Sequence, residues 1–497
     1  MMAGGPRRER TRALLLVGHG SHLNAFSSAP VYDHARRLRA TGRFDEVVEA
    51  FWKEEPSLRD ALALVQSDDV YIVPLFLAEG YFTRQVLPRE LGLTDGPPAG
   101  GQRVHYCAPI GGHPAMYDLV VDRARSIARD GGFDPSSATL VIIGHGTERS
   151  STSGNTVYDL VRSVAERGDF AGVTCGFLDE SPGIAEVLDA AETDNVILVP
   201  YFLAEGWHTA ATIPRDLSLA GTRTIRGGRT LWYTPPVGIL PEIADIVLSI
   251  VEVAAGGPMD FDPASRSPVT SITRPITVAR RRFFEWVDGA GQEGVVLLRS
   301  RIRRSADGSY SVAHEADRDT PTHLLAGSDD PEHALEIARI DDQGRYRPLR
   351  HADSLRRGWS LESLGAEGLW RAVSLLYPGA VLRWAEVGVE AGGRAATHFD
   401  AWAARQSGMY ERVGSIAPGD LAATISDCCG DCLRVPRWNP AARMPGTIAA
   451  PVPGGTDPGT IATVPCLEPC SVFGSRAHRR LSDRAKPPVA DEAPQPA

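Results

Sequence analysis

No stretch of the 497-residue sequence approaches the roughly 20 consecutive apolar residues that a membrane helix needs. The first apolar run, Leu14 to Val17, follows a basic start but is too short for the core of a secretion signal. A cytoplasmic protein is expected. Positive charge is in deficit: 52 Lys and Arg stand against 62 Asp and Glu, a formal net charge of −10. That argues against generic binding to nucleic acid or to a membrane surface. It leaves room for an anionic small ligand, because a pocket can be locally basic. No glycine motif has the spacing of a phosphate-binding P-loop, so no nucleotide is implied. Gly-His-Gly-Ser is not the Gly-x-Ser-x-Gly elbow of serine hydrolases. Cysteine is sparse over most of the chain. Cys107 and Cys175 stand alone, whereas Cys428, Cys429, Cys432, Cys466 and Cys470 crowd together near the end. In a cytosolic protein such a cluster more often means metal than disulfide.

What is present is an ordinary globular composition, 43% hydrophobic, in a chain long enough for about three or four domains. The chain also repeats itself. At an offset of 126 residues, GHGS (18–21) falls on GHGT (144–147), and VYDHARRL (31–38) on VYDLVRSV (157–164). Glu54 and Pro56 fall on Glu180 and Pro182, VYIVPLFLAEG (70–80) on VILVPYFLAEG (196–206), and Arg89 on Arg215. The offset then slips by one, so that APIG (108–111) meets PPVG (235–238). The period is far too long for a solenoid, so a domain has been duplicated.

Each copy reads as α/β. Apolar, β-branched runs at 13–17, 69–77, 139–143 and 195–202 predict buried strands, and 31–40 and 115–129 predict helices. Alternating strands and helices predict a parallel sheet covered on both faces, with ligands bound beyond the carboxyl ends of its strands. The expected division is 1–132 and 133–256 for the two repeats, a Pro/Ser/Asp linker near 257–270, an α+β domain at 271–405, a small cysteine-rich domain at 406–480, and a disordered tail at 481–497. Within the α+β part, 360–377 predicts a helix ended by Pro378-Gly379. The Arg-rich positions 280–282 and 299–304 are expected to be a solvated face.

The chemistry concentrates at the strand ends. His19 and His145 occupy equivalent positions between two glycines, and His208 follows the second FLAEG, where the first repeat has Phe82. Imidazole binds borderline divalent metals and accepts a proton near neutral pH. Glu79 and Glu205 lie next to these loops and could complete a site or relay protons. A lone histidine after a strand is more often a cap or a core residue, but His145, Glu205 and His208 project from adjacent strand ends. His22, His34, His105 and His113 are expected to be surface or helix residues, and Glu54 and Glu180 to cap a helix. The cysteines supply Cys429-x2-Cys432 and Cys466-x3-Cys470, with Cys428 to spare. Four thiolates suit zinc or an iron–sulfur cluster.

LLLVGHGS, PLFLAEG, PYFLAEGWH and IPRDL resemble the sirohydrochlorin chelatases of the CbiX type, over about residues 12–250. The resemblance implies two α/β halves facing each other across a cleft, and insertion of Co2+ or Fe2+ into sirohydrochlorin on the way to cobalamin or sirohaem. It implies metal handling by His145 and His208, with His19 alone in the first repeat. Glu205 or a histidine would take the pyrrole protons. Arg84, Arg89 and Arg215 would meet the carboxylates of the substrate, unless they serve structural salt bridges. Chelatase-like proteins with a C-terminal [4Fe-4S] domain are also similar, and this tips the cysteine set from structural zinc toward iron–sulfur. A chain that supplies both halves can act as a monomer. A second reading is an Fe–S redox or metal-sensing protein on a degenerate chelatase scaffold.

Overall fold

The computed structural model describes residues 10–21, 24–94, 101–146, 155–257, 274–341, 343, 355–386, 397–406, 408–430, 432, 434–440, 461–462 and 464–484. His22, Thr147, most of the expected linker and most of the expected tail lie outside them; Leu481–Arg484 end a helix. The chain divides into two compact units, Met1–Arg274 and Pro275–Ala497. Among the described residues no helix is long and apolar enough to cross a membrane.

The first unit contains both repeats. Strands β1 (Arg12–Gly18), β2 (Glu46–Phe51), β3 (Asp69–Pro74) and β4 (Arg103–Tyr106) form a parallel sheet in the order β2-β1-β3-β4. Strands β5 (Ala138–Gly144), β6 (Gly172–Phe177), β7 (Asn195–Pro200), β8 (Arg223–Arg226) and β9 (Arg229–Tyr233) form the second, in the order β6-β5-β7-β9-β8. Every residue of β3 and β5 is buried. That accounts for their unbroken apolar runs, since a parallel sheet is covered on both faces. Strand order reverses between β1 and β3, and again between β5 and β7. These are the switch points where crevices open beyond the strand ends.

The second sheet departs from a purely parallel one at its edge. β8 runs antiparallel to β9 through the turn Gly227-Gly228, whose φ values of 58° and 81° suit a two-residue hairpin. This added hairpin also explains the slipped offset: Asp69 faces Arg103, but its counterpart Asn195 faces Thr230.

The repeats pack about a pseudo-two-fold axis. Helix Ala29–Ala40 of the first lies on helix Ile243–Ala255 of the second, and helix Asn155–Ala165 lies on helix Pro114–Gly131. His34 is in a helix, as expected, but it is buried there, with Nε2 2.7 Å from the Gly238 carbonyl across the interface. His113 caps helix Pro114–Gly131 and reaches Ser249 Oγ at 3.2 Å. Three ion pairs cross this interface among the described residues, Arg43–Glu252, Arg125–Asp169 and Arg167–Asp118, all at 2.7 Å. In the repeat alignment Asp169 takes the place of Arg43, and Glu252 that of Arg125. In these first two pairs the first repeat supplies both cations and the second both carboxylates, while Arg167–Asp118 runs the other way. Pairing two like repeats would oppose like charges, so the halves are no longer interchangeable. Arg43→Glu is expected to lower the urea midpoint at low salt, and Glu252→Arg in the same chain to restore it. These pairs are part-exposed and worth about 0.2–1 kcal/mol each, so the rescue is the decisive observation.

In the second unit, β10 (Val295–Leu297), β11 (Ser300–Arg304), β12 (Tyr310–His314), β13 (Ala326–Ser328) and β14 (Trp359–Leu364) build a largely antiparallel sheet. Segment 360–377 is not one helix. Ser360–Leu364 belong to β14, paired on both sides with β12 and β13, and the helix is Ala366–Leu376 after Gly365. Two strand partners outweigh the local helical pattern, and Leu361 alternates into the core. β15 (Arg434–Pro436) pairs with β17 (Val464–Cys466), and β16 (Ile461–Ala462) joins the edge of the larger sheet at β10. Phe399, Trp402, Trp438 and Phe473 form an aromatic core beside the cysteines.

Candidate functional site

Each Gly-His-Gly loop is dictated by packing. A Cβ on Gly144 would lie 2.8 Å from the Phe177 ring, and one on Gly18 would lie 2.7 Å from Val31 Cγ2. Gly146 and Gly20 have φ values of +72° and +66°, a region that strains other residues. The loop therefore turns sharply and leaves the histidine accessible at the strand end. His145 Nδ1 lies 3.0 Å from the Gly146 carbonyl, and His19 Nδ1 lies 2.7 Å from that of Gly20. Since a carbonyl only accepts, this assigns the proton to Nδ1 and leaves Nε2 free to bind a metal.

The second repeat brings His208 to His145: their ring centroids are 4.9 Å apart and nearly perpendicular. Asp179 Oδ2 lies 3.4 Å from His145 Nδ1. Burial, followed by His145, holds His208 below the usual histidine range. Its neutral, metal-binding form thus persists to lower pH. His208 Nδ1 is buried without a hydrogen-bond partner among the described residues. These groups are neighbours short of a closed shell: no three His, Cys, Asp or Glu side chains among the described residues already converge on one point.

His208 is aimed by an unusual turn. After β7 the backbone makes one π-helical turn, His208–Thr212, and after β3 it does the same at Phe82–Val86. Pro214 and Pro88 supply the cause, since proline has no N–H and presses on the carbonyl one turn earlier. The Ile213 N–H reaches back to the His208 carbonyl, and the next donor in line is Pro214, which has none. The Thr209 carbonyl is left bare, and the Tyr233 hydroxyl donates to it at 2.7 Å. Tyr106 serves Thr83 in the same way at 2.5 Å. Such π turns recur at functional sites. Tyr233→Phe and Tyr106→Phe are both expected to cost about 1 kcal/mol of stability in chemical denaturation. Only Tyr233→Phe is expected to weaken Co2+ binding, by up to about tenfold, because only that turn carries a histidine.

The first repeat has the same loop and different chemistry. The Lys53 N–H donates to the His19 carbonyl as the Asp179 N–H does to that of His145, so Lys53 stands where the second repeat has Asp179. Phe82 stands where it has His208, and Trp52 where it has Leu178. Burial pushes Lys53 down to about 7, and its Nζ sits 3.4 Å from the centre of the Trp52 ring. Burial also lowers His19 although its surface stays accessible, because Trp52 and Phe82 crowd the rest of its ring. One repeat has an imidazole and a carboxylate where the other has a phenyl ring and an amine.

The acids diverge likewise. Glu79 pairs with Arg84 at 3.1 Å, but Ala210 replaces that arginine in the second repeat, and Glu205 shows no ion pair among the described residues. Glu205 is exposed next to His208. Of the other candidate arginines, Arg89 lies 3.4 Å from Glu90 and Arg215 lies 2.8 Å from Asp216. Glu54 accepts from the Ser21 N–H at 2.7 Å and from Ser28 Oγ at 2.9 Å, tying the loop to the start of helix Ala29–Ala40. Asn24 of the first repeat meets Gly206 of the second, its amide nitrogen 3.6 Å from where a Cβ would stand. A cleft of about 400 Å3 opens between the repeats, lined by Glu79, Pro109, His113, Tyr117, Thr156 and Asp159.

Asp179, Lys53 and Tyr233 escaped the motif reading. The signal for the first two lay in the same offset of 126, read one residue at a time instead of by blocks.

In the second unit Cys428 is buried, while Cys429, Cys432, Cys466 and Cys470 are half-buried. A hydrogen bond with Cys428 and burial raise the Cys429 thiol, and Cys466 and Cys432 add to this, so the thiols are neighbours. The Phe473 N–H points at Cys470 Sγ at 3.2 Å. Four half-buried cysteines from two segments, with a backbone donor aimed at one sulfur, are a donor set that a cationic cluster takes as thiolates.

Known proteins resemble this chain over most of its length. The CbiX family model matches twice, over 13–127 and 139–254. A Halobacterium salinarum protein, named a probable sirohydrochlorin cobaltochelatase, is 42% identical over 262 residues, which is 48% of this chain and 89% of that protein. The chain belongs to the CbiX chelatase family. The sirohydrochlorin cobaltochelatase of Methanopyrus kandleri is 32% identical over 139 residues, 24% of this chain and 96% of that enzyme. Beyond the CbiX repeats, 279–387 match the DR2241 stabilising domain and 391–479 match a 4Fe-4S iron-sulfur cluster binding domain. DR2241 from Deinococcus radiodurans, described as a multi-domain protein with structural similarity to chelatases and two additional novel domains, has a crystal structure similar to this one. The TM-score is 0.77 at 29% identity, over 95% of this chain and 99% of that one. This CbiX family member thus combines two chelatase-like α/β repeats with an α+β domain and a cysteine-rich 4Fe-4S domain.

Proposed function

We propose that this protein inserts Co2+ or Fe2+ into sirohydrochlorin or a close tetrapyrrole, in the crevice between its repeats. The observation that carries this reading is the His145–His208 pair with Asp179 beside it, at the one switch point where donors were kept. A hydrated ion must shed water, and two pyrrole N–H protons must leave. Free imidazole nitrogens at His145 and His208 replace some of that water, weakly enough to release the ion. Asp179 offsets the charge of the ion. Glu205, with no ion pair among the described residues, is placed to take a proton. His19 faces the site as a helper without donors of its own. Arg84 and Arg215, in exposed pairs of little strength, are able to exchange their carboxylate partners for those of the substrate, and Arg89 lies one turn on.

The resident group is a [4Fe-4S] cluster on Cys429, Cys432, Cys466 and Cys470, with Cys428 left in the core. When bound, it supplies one-electron chemistry and a covalent cross-link of the domain. The deciding assay is anaerobic incubation with sirohydrochlorin and Co2+ or Fe2+, following the tetrapyrrole absorption. Insertion above the buffer rate is expected. No insertion with any divalent ion would favour the redox or metal-sensing reading.

A further inference from the structure

Where the second repeat sets Leu178, Asp179 and His208 around its strand-end histidine, the first sets Trp52, Lys53 and Phe82. These substitutions did more than delete a site. Trp52 and Phe82 meet edge to face at 4.8 Å, Phe76 lies 5.3 Å from Phe82, and His19 closes the group at 5.1 Å from Trp52. All three aromatic rings remain only half-buried. The second repeat has leucine and histidine at two of these positions, and in the first the rings pack against the core while keeping part of their surface exposed.

A second observation lies at the rims. Tyr81 and Trp207 are equivalent residues of the two repeats, each directly before the π turn, and they are 58% and 71% exposed. Among the described residues the exposed aromatic side chains are Phe26, Tyr81, Tyr158 and Trp207, and all four follow the carboxyl ends of β1, β3, β5 and β7. Water-facing aromatic rings gathered at one end of two sheets mark a surface that a flat apolar partner covers.

We infer that the first repeat's lost metal position is a stacking platform for the face of the tetrapyrrole, with Trp52 and Phe82 as its wall and Tyr81 and Trp207 as its rims. The two repeats then divide the work: the second holds the ion and the first holds the ring. This rests on the tetrapyrrole reading above, and the test separates the two. Trp207→Ala and Tyr81→Ala change exposed side chains and should fold normally. Metal-free sirohydrochlorin is titrated against each variant by absorption and fluorescence, and Co2+ alone is titrated in parallel. Each variant should bind the tetrapyrrole about tenfold more weakly, as expected for losing one stacked ring, with KM raised more than kcat is lowered. Co2+ affinity should not change, which separates stacking from damage to the histidine site. If the unmodified protein binds sirohydrochlorin and the double variant binds it equally well, the platform is overturned while the chelatase reading stands. If the unmodified protein binds no tetrapyrrole, both fail.

Discussion

Replacing His208 with alanine is expected to slow metal insertion by about 100-fold or more, the scale on which a positioned imidazole contributes. His145→Ala should do the same, and the double variant should be little worse than either single one, because a pair that acts as a unit is not additive. His19→Ala should change the rate only a few-fold, since Lys53 and Phe82 have removed the donors around it. The measurement is the initial rate of tetrapyrrole absorption change under anaerobic conditions, at saturating and subsaturating Co2+. Insertion that survives both His145→Ala and His208→Ala unchanged would sink the site assignment. The converse is also informative: Lys53→Asp with Phe82→His should restore donors to the first repeat and raise Co2+ stoichiometry from about one to about two per chain.

The second large effect concerns the cysteine-rich domain. Anaerobically purified protein should be brown, with iron and sulfide near a 4:4 ratio. Cys432→Ser and Cys466→Ser should each lose that colour and lower the thermal stability of the second unit, because cluster binding and folding are linked. Cys428→Ser should keep both, since Cys428 lies in the aromatic core among Leu421, Trp438 and Phe473. Stoichiometric zinc in place of iron would overturn the cluster, and colour lost in Cys428→Ser but kept in Cys429→Ser would exchange the two ligands.

Much of the first unit was legible because its strands are buried on both faces. Leu14–Val17 and Leu140–Ile143 show as unbroken apolar runs, and duplication provided a second, independent copy of each. The Gly-His-Gly loops were legible for a related reason: Gly20 and Gly146 are fixed by backbone conformation, so divergence left them in place. The 360–377 segment was not, because its first residues are a strand only through pairing with β12 and β13, and no local pattern reports a partner distant in sequence. Tyr233 was hidden likewise: its role is to satisfy a carbonyl that Pro214 leaves bare, more than twenty residues away in the chain.

By itself the sequence determined the duplication, the α/β pattern, the two strand-end histidines and the paired cysteine motifs, all properties of residue type and spacing along the chain. Only the tertiary structure decided what the differences between the duplicates do. It placed Lys53 against His19 and Asp179 against His145, and it matched Arg43 and Arg125 with Glu252 and Asp169. It also left Glu205 without the arginine that holds Glu79. The physical reason is that charge and ligation act through space. A residue becomes a donor, a counter-ion or a stacking surface only when the fold sets its neighbour within a few ångströms.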